Sequence, residues 1–294
     1  MIKNYLYKYI FSFVVLGVIQ GITSSPLFAQ DDFGYDLSVA GETKLAKGLK
    51  IEVEASMRTQ DDAKKIDRYV VGAELSYRLF QTDDKKFDIK ANAGFEYLWQ
   101  NKLGKKTEDY IFYEDEEEGR FWGTTTTNKY WRNRFRINPG FSFSYTPNKR
   151  WSFSLKETVQ YNHYNKASRE SQLYRPFLIN DDDDWITKDP AYEEMYKEPI
   201  NYTITKNIKS KDRVVLRSKL SAAYDIKNFP IDIFASVEYG CGLNYTKNKW
   251  KYTAGYDYKI DKSNKISMYY RYNRENDEFD TNGHIIGLGY KFKF

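Results

Sequence analysis

Strict alternation of apolar and polar residues over eleven long segments is the feature that most limits how this chain can fold. Successive side chains of a β-strand point to opposite faces, so each segment predicts a strand with one apolar and one polar face. Globular strands average about five or six residues, whereas most of these segments reach the roughly nine to eleven that a tilted strand needs to cross a bilayer. The pattern predicts an all-β fold: a single closed antiparallel transmembrane β-barrel of about 10–12 strands.

Segment length and aromatic residues near the segment ends indicate which face of the barrel points outward. A membrane barrel turns its apolar face to lipid and keeps charged groups in the lumen, the reverse of a soluble barrel. The lipid face is predicted to contain Tyr35, Ile51, Leu75, Phe95, Phe141, Leu220, Val237, Tyr256 and Leu288. Glu157 conflicts with this assignment, because it shares the apolar parity of its segment and a carboxylate at the bilayer midplane is costly.

The connections between the segments alternate in length. Short turns lie at 46–48, 83–85, 147–149, 227–229 and 261–264, and the longer connections are 59–67, 101–128, 164–211, 245–249 and 274–283. This predicts short periplasmic turns and long outer loops. An odd number of strands conflicts with the even numbers of single-chain bacterial barrels. Either the first segment does not complete the wall, or a further strand lies within 101–128 or 164–211.

The start of the chain predicts export. Basic residues followed by an apolar run over 10–19 and an acceptable cleavage site at Ala29 are typical of a secretory signal peptide, and the run is too short for a membrane span. Residues 1–29 are therefore predicted to be a signal peptide, and 30–294 the outer-membrane β-barrel.

The last strand carries a second signal. Ile286, Leu288, Tyr290, Phe292 and Phe294 share one parity, while glycines and lysines occupy the other. A terminal strand of this kind resembles the assembly signal of bacterial outer-membrane barrels. The resemblance implies that Tyr290, Phe292 and Phe294 are recognised by the barrel-assembly machinery.

Composition excludes several classes of protein. Mean hydropathy is −0.75 and no segment after the leader offers eighteen consecutive apolar residues, so transmembrane helices are not expected. A net charge of only +5 gives no reason to expect a nucleic-acid partner. The single cysteine, Cys241, allows no intrachain disulfide and is expected to be a small wall residue or a free thiol.

The polar parity places many charges in the predicted lumen. We name one set of them the lumen charge ladder: Arg132, Arg134, Arg136, Arg217, Lys219, Glu74 and Glu238. The ladder fits a constriction that selects anions, or ion pairs that fill a narrow barrel. Because unpaired buried charges are expensive, Arg132, Arg134 and Arg136 are expected to pair with Glu42, Glu74 or Glu238.

Catalytic motifs are lacking. The two histidines, His163 and His284, show no Ser–His–Asn arrangement, and no His/Cys metal spacing or phosphate loop occurs. The acidic runs 114–118 and 181–184 are expected to be solvated loop charge rather than Ca²⁺ or Mg²⁺ ligands. No catalytic residue, cofactor or metal is therefore predicted.

Three segments support a family resemblance: Asp32-Phe33-Gly34-Tyr35, the run 52–58 and the run 283–290. They resemble an uncharacterised outer-membrane barrel family common in Bacteroidetes and catalogued as a domain of unknown function. The resemblance implies a barrel fold and the outer membrane of a Gram-negative bacterium, with lipid and lipopolysaccharide as surroundings. It implies no activity.

The predicted function is that of a non-catalytic outer-membrane barrel with a structural role or a role in small-solute passage. Two alternatives stay open: an adhesin or binding protein acting through the loops 101–128 and 164–211, and an outer-membrane barrel hydrolase.

Overall fold

The computed structural model describes residues 32–102, 104–111, 120–175, 200–243, 248–275 and 283–294. The predicted signal peptide and both acidic runs lie outside these residues. Within them, no helix is long and apolar enough to cross a membrane.

Eleven strands form a closed barrel, and all eleven predicted segments are strands of its wall. The wall strands are β1 (Asp32–Ala46), β2 (Leu49–Gln60), β3 (Lys65–Gln81), β4 (Phe87–Lys102), β7 (Tyr130–Tyr145), β8 (Trp151–Tyr164), β11 (Lys211–Asp225), β12 (Ile231–Gly242), β13 (Asn248–Lys259), β14 (Asn264–Glu275) and β15 (Gly283–Lys293). Around the barrel they run β1-β15-β14-β13-β12-β11-β8-β7-β4-β3-β2.

The barrel closes through one parallel pair. β1 and β15 run side by side in the same direction, from Asp32 opposite Gly283 to Glu42 opposite Lys293, and all other wall neighbours are antiparallel. The expectation of a fully antiparallel barrel was wrong at this seam. Strands that alternate in direction bring the first and last of an odd number together pointing the same way, so no extra wall strand is needed.

The two longest connections contain a second sheet, which we call the accessory sheet. Its strands are β5 (Lys105–Ile111), β6 (Arg120–Thr127), β9 (Ala167–Arg175) and β10 (Ile200–Ile208), in the order β10-β9-β6-β5. Pairing of β6 with β9 joins two hairpins that extend from the wall. The predicted loops 101–128 and 164–211 therefore hold strands, but these strands lie outside the wall.

The two ends of the barrel differ. Short turns close one end, which we call the turn end, and the accessory sheet continues from the other, the sheet end. In the turn after β3, the Thr82 hydroxyl and the Lys86 backbone N–H donate to Asp84 Oδ1 at 2.6 and 3.1 Å. These hydrogen bonds lower the pKa of Asp84 to about 2, so its carboxylate stays ionised as a fixed acceptor of the turn.

Burial in the barrel is inverted relative to a soluble protein. Among the residues described, the buried apolar ones are only Ala40, Leu98, Leu173, Cys241 and Ile285, beside twelve buried polar or charged residues. Outward apolar side chains stay exposed, for example Leu220 at 60% and Phe95 at 51%. Of the nine residues assigned to the lipid face, only Ile51 and Tyr256 are half-buried, and the others are exposed.

Candidate functional site

A charged chamber of about 630 Å³ fills the middle of the lumen and the part toward the sheet end. Its cationic lining consists of Arg58, Arg68, Lys102, Arg134, Arg136, Lys156, Arg213, Arg217, Lys219, Lys249, Lys251 and Arg271. Its anionic lining consists of Asp36, Glu52, Glu54, Glu74, Glu96 and Glu238. Cationic groups therefore outnumber carboxylates two to one, although the chain as a whole is only weakly basic.

The best-paired part of the chamber surrounds Glu238 on β12. Arg217 donates to both of its oxygens, at 3.0 and 2.6 Å, and Lys251 donates at 2.7 Å. A third hydrogen bond of Arg217 goes to Gln160 on β8. Lys219 stands in register with Glu238 and has no hydrogen bond among the residues described. The ladder residues Arg217, Lys219 and Glu238 thus lie together.

The ion pair of Glu74 joins two strands that are farther apart in the wall. Both of its oxygens accept from Lys156 Nζ, at 2.8 and 2.7 Å. Lys156 lies on β8 and Glu74 on β3, with β7 and β4 between them in the wall. This ion pair therefore spans a chord of the lumen.

The arginine part of the ladder has other partners than expected. Arg136 donates to Glu96 Oε2 at 2.5 Å and to Asn162 at 3.1 Å. Arg134 donates to the Tyr164 hydroxyl at 2.7 Å. Arg132 donates to two backbone carbonyls near the rim. The expectation that these arginines pair with Glu42, Glu74 or Glu238 was wrong, because strand register places Glu96, and none of those three, directly opposite Arg136.

Glu42 lies in a separate group toward the turn end. It accepts from Lys50 and from Lys291, each at 2.8 Å, and Lys291 also contacts Glu52. Arg78 and Lys90 both face Asp88, at 3.3 and 3.1 Å. The lumen at this end is therefore lined by ion pairs within β4 and between strands that are close neighbours in the wall.

A network around Asp36 holds the parallel seam. Asp36 is 6% exposed and accepts from Arg58 on β2 at 2.8 Å and from Arg271 on β14 at 3.2 Å. Tyr269 on β14 lies beside this carboxylate. The residue opposite Asp36 on β15 is Gly287, whose missing side chain lets groups from β14 reach across β15. The sequence pattern did not single out Asp36, since it looks like any other polar-parity residue.

The histidines lie at the sheet end on the outward face. His163 Nδ1 is 2.6 Å from Asp212 Oδ1, and Tyr161 donates to the same oxygen at 2.8 Å. Asp212 was missed because it comes from a distant strand. His163 bonds no serine in the described part of the chain, and His284 lies 2.5 Å from the Tyr270 hydroxyl. No cluster of three or more metal-ligating side chains occurs among the residues described.

Aromatic rings collect on the outward face at both ends of the wall. At the sheet end Tyr69 stacks on Trp131, with 6.0 Å between ring centroids. At the turn end Trp151 packs on Tyr224 at 4.8 Å. The residues of the suspected assembly signal join this second group: Phe292 and Phe294 form an edge-to-face pair at 4.7 Å, and the Tyr290 hydroxyl donates to Asn264.

Glu157 is an exposed polar group near the middle of the outward apolar face. It is opposite Phe141 on β7, and the Ser218 hydroxyl of β11 donates to its Oε1 at 2.6 Å. Neither a bulge nor a position at the wall's end removes it from the apolar face.

The structure belongs to the class of closed β-barrels that have apolar side chains on the outer face and charged side chains in the lumen. The chain matches, over residues 33–284, the family described as protein of unknown function (DUF2490), and it belongs to that family. No curated protein matches the chain.

Proposed function

We propose that this protein is an outer-membrane β-barrel of a Gram-negative bacterium that gives small water-soluble molecules access to its lumen and catalyses no reaction. The single observation that carries the proposal is the inverted burial of the wall, exposed apolar side chains outside and charged side chains inside. A wall of this kind needs lipid around it and water within it. The aromatic rings at both ends suit the two headgroup regions, where lipid and lipopolysaccharide would contact them.

The orientation follows from the connections. We place the turn end in the periplasm and the sheet end outside, as short turns and long extensions are arranged in bacterial barrels. The chamber then opens toward the outside, and the ion pairs around Glu42 and Asp88 lie toward the periplasm. The half-buried ring of Phe292 and the exposed ring of Phe294 lie at the periplasmic end, where the barrel-assembly machinery would bind them.

Reconstitution in a planar bilayer tests passage. We expect small conductance steps, because a chamber of about 630 Å³ above a layer of ion pairs admits only small ions. Heat-modifiable migration on a gel serves as the control that the barrel is folded. A folded barrel that carries no current would contradict the proposed passage of small molecules and would favour a structural role with a closed lumen.

Replacing Glu157 by Leu is expected to stabilise the barrel in lipid by about 1–2 kcal/mol, because charged groups on the lipid face destabilise membrane barrels. Urea unfolding in lipid vesicles measures the effect. The matched control is Glu170→Leu on the accessory sheet, outside the bilayer, which should change stability by about 0.5 kcal/mol or less. A loss of stability in Glu157→Leu would show that this carboxylate does not face lipid.

A second candidate function is binding through the accessory sheet. Strand β10 forms one edge of this sheet, and its Tyr202 and Ile204 are 44% and 41% exposed. An open edge rich in β-branched residues is able to pair with a strand of a partner. Replacing 105–127 and 167–208 with short turns would remove the sheet. Loss of cell-surface binding with unchanged conductance would favour the binding role.

The hydrolase alternative rests on His163 and Asp212, a histidine held by a carboxylate. A serine hydrolase also needs a nucleophile beside the histidine. We propose that the pair is structural. Hydrolase activity that is lost in a His163→Ala/His284→Ala double variant would contradict this.

A further inference from the structure

The sheet-end half of the chamber contains an arginine without a counter-charge. Arg134 on β7 is 8% exposed, lines the chamber and forms no ion pair among the residues that the structure describes. Its one hydrogen bond goes from Nη1 to the Tyr164 hydroxyl at 2.7 Å, and its Nε–H has no partner. A buried guanidinium is normally compensated by a carboxylate, since desolvating a charge costs several kcal/mol. Arg134 therefore has donors to offer a ligand.

The surroundings of Arg134 increase the need for negative charge. Arg132 and Arg136 flank it on the same face of β7, and like charges at this spacing repel each other. Only Arg136 has a carboxylate, Glu96. The residue opposite Arg134 on β4 is Leu98, which is 1% exposed and carries no charge. Nothing on the described wall beside Arg134 neutralises it.

Tyr164 supplies the second half of the arrangement. Its ring lies 5.0 Å from the Arg134 guanidinium carbon and 5.2 Å from that of Arg132, which fixes both groups by cation–π contact. The Tyr164 hydroxyl accepts from Arg134, and its own proton is donated to no group in the described part of the chain. One O–H and at least one guanidinium N–H are thus left to point at a common ligand.

We propose that Arg134 and Tyr164 form a binding site for the oxyanion group, phosphate or carboxylate, of a small solute in the chamber. The inference rests on the proposed function and names the class of solute. A guanidinium presents paired donors that match two oxygens of such a group, and a phenol adds a third hydrogen bond. Charge-assisted hydrogen bonds of this kind are stronger than those between neutral groups. The site lies on the outer side of the layer of ion pairs, where an entering anion meets it first.

Calorimetric titration of the purified full-length barrel in detergent, at constant ionic strength, tests the site. Inorganic phosphate and acetate are the two probes, and they separate a phosphate site from a carboxylate site. We expect binding of at least one probe, a loss of affinity of tenfold or more in Arg134→Gln, and a smaller loss of about threefold to tenfold in Tyr164→Phe. Arg78→Gln is the matched control, because it removes an arginine of the same lumen that lies outside the chamber.

Equal affinity in wild type and Arg134→Gln, or no binding of either probe by the wild type at millimolar concentration, would overturn the site. Tyr164→Phe keeps the test valid if Arg134→Gln fails to fold. The outcome of this titration does not depend on whether the barrel conducts ions. Binding without conductance overturns passage and leaves the site, whereas conductance without binding leaves passage and overturns the site.

Discussion

Replacing Asp36 by Asn is expected to destabilise the barrel by about 3 kcal/mol, because it leaves the half-buried Arg58 and Arg271 without their shared, buried carboxylate. The change keeps the size of the side chain, so the loss reflects charge rather than packing. Asp36 also lies beside Tyr269 and joins strands on both sides of β15. The parallel seam should therefore open first. Urea unfolding in lipid vesicles, followed by gel migration of the unheated protein, measures the loss.

The control for this prediction is Asp62→Asn. Asp62 contacts Lys64 at 3.7 Å, and both side chains are mostly exposed, so the same chemical change should alter stability by at most about 0.5 kcal/mol. If Asp36→Asn behaved like Asp62→Asn, the Asp36 network would not hold the seam.

A second large effect is expected at Gly287, where alanine should destabilise the barrel by about 1–3 kcal/mol. A Cβ atom at Gly287 would lie 2.0 Å from the Tyr269 ring, which occupies the space that the glycine leaves open. The ring would have to move away from its position beside Asp36. Gly255 flanks the same ring from β13, so Tyr269 lies between two glycines.

Gly240→Ala is the matched control for this substitution. Its Cβ would meet its nearest atoms at 3.6 Å or more, an ordinary contact distance. Combining Gly287→Ala with Tyr269→Ser should remove most of the penalty, because the obstructing ring is gone. Additive effects of the two substitutions would show that Gly287 acts independently of Tyr269.

The wall of the barrel could be predicted from sequence because its signal is local. Each wall strand carries its own alternation, and short turns such as 46–48 and 83–85 join neighbours whose pairing follows directly. Closure was harder to predict, since the β1–β15 pair joins the two ends of the chain. The sequence of neither strand indicates which strand is its partner. The accessory sheet was missed for a different reason. Strands such as β10 alternate Ile and Tyr with Asn and Thr, and their side chains cover no core.

The partners of the lumen charges depend on register across long connections. Arg136 meets Glu96 because β7 pairs with β4, and these strands are separated by the whole 101–128 segment. His163 meets Asp212 across β8 and β11, which are separated by 164–211. Alternation shows that a side chain points into the lumen. Its position along the barrel axis depends on the strand register, which a long connection does not fix. The ladder was therefore predictable as a set of inward charges, and its ion pairs were not.

In the proposed membrane barrel, the apolar face of the wall contacts lipid and the charged face contacts water. Single-cysteine variants in a Cys241→Ala background test it at adjacent residues, Glu74 with Leu75 and Lys219 with Leu220. In outer membranes, a lipid-soluble maleimide should label the cysteines at 75 and 220, and a water-soluble maleimide those at 74 and 219. If the lipid-soluble maleimide labelled positions 74 and 219 instead, or the water-soluble maleimide labelled all four positions, the proposed arrangement of the two faces would be contradicted.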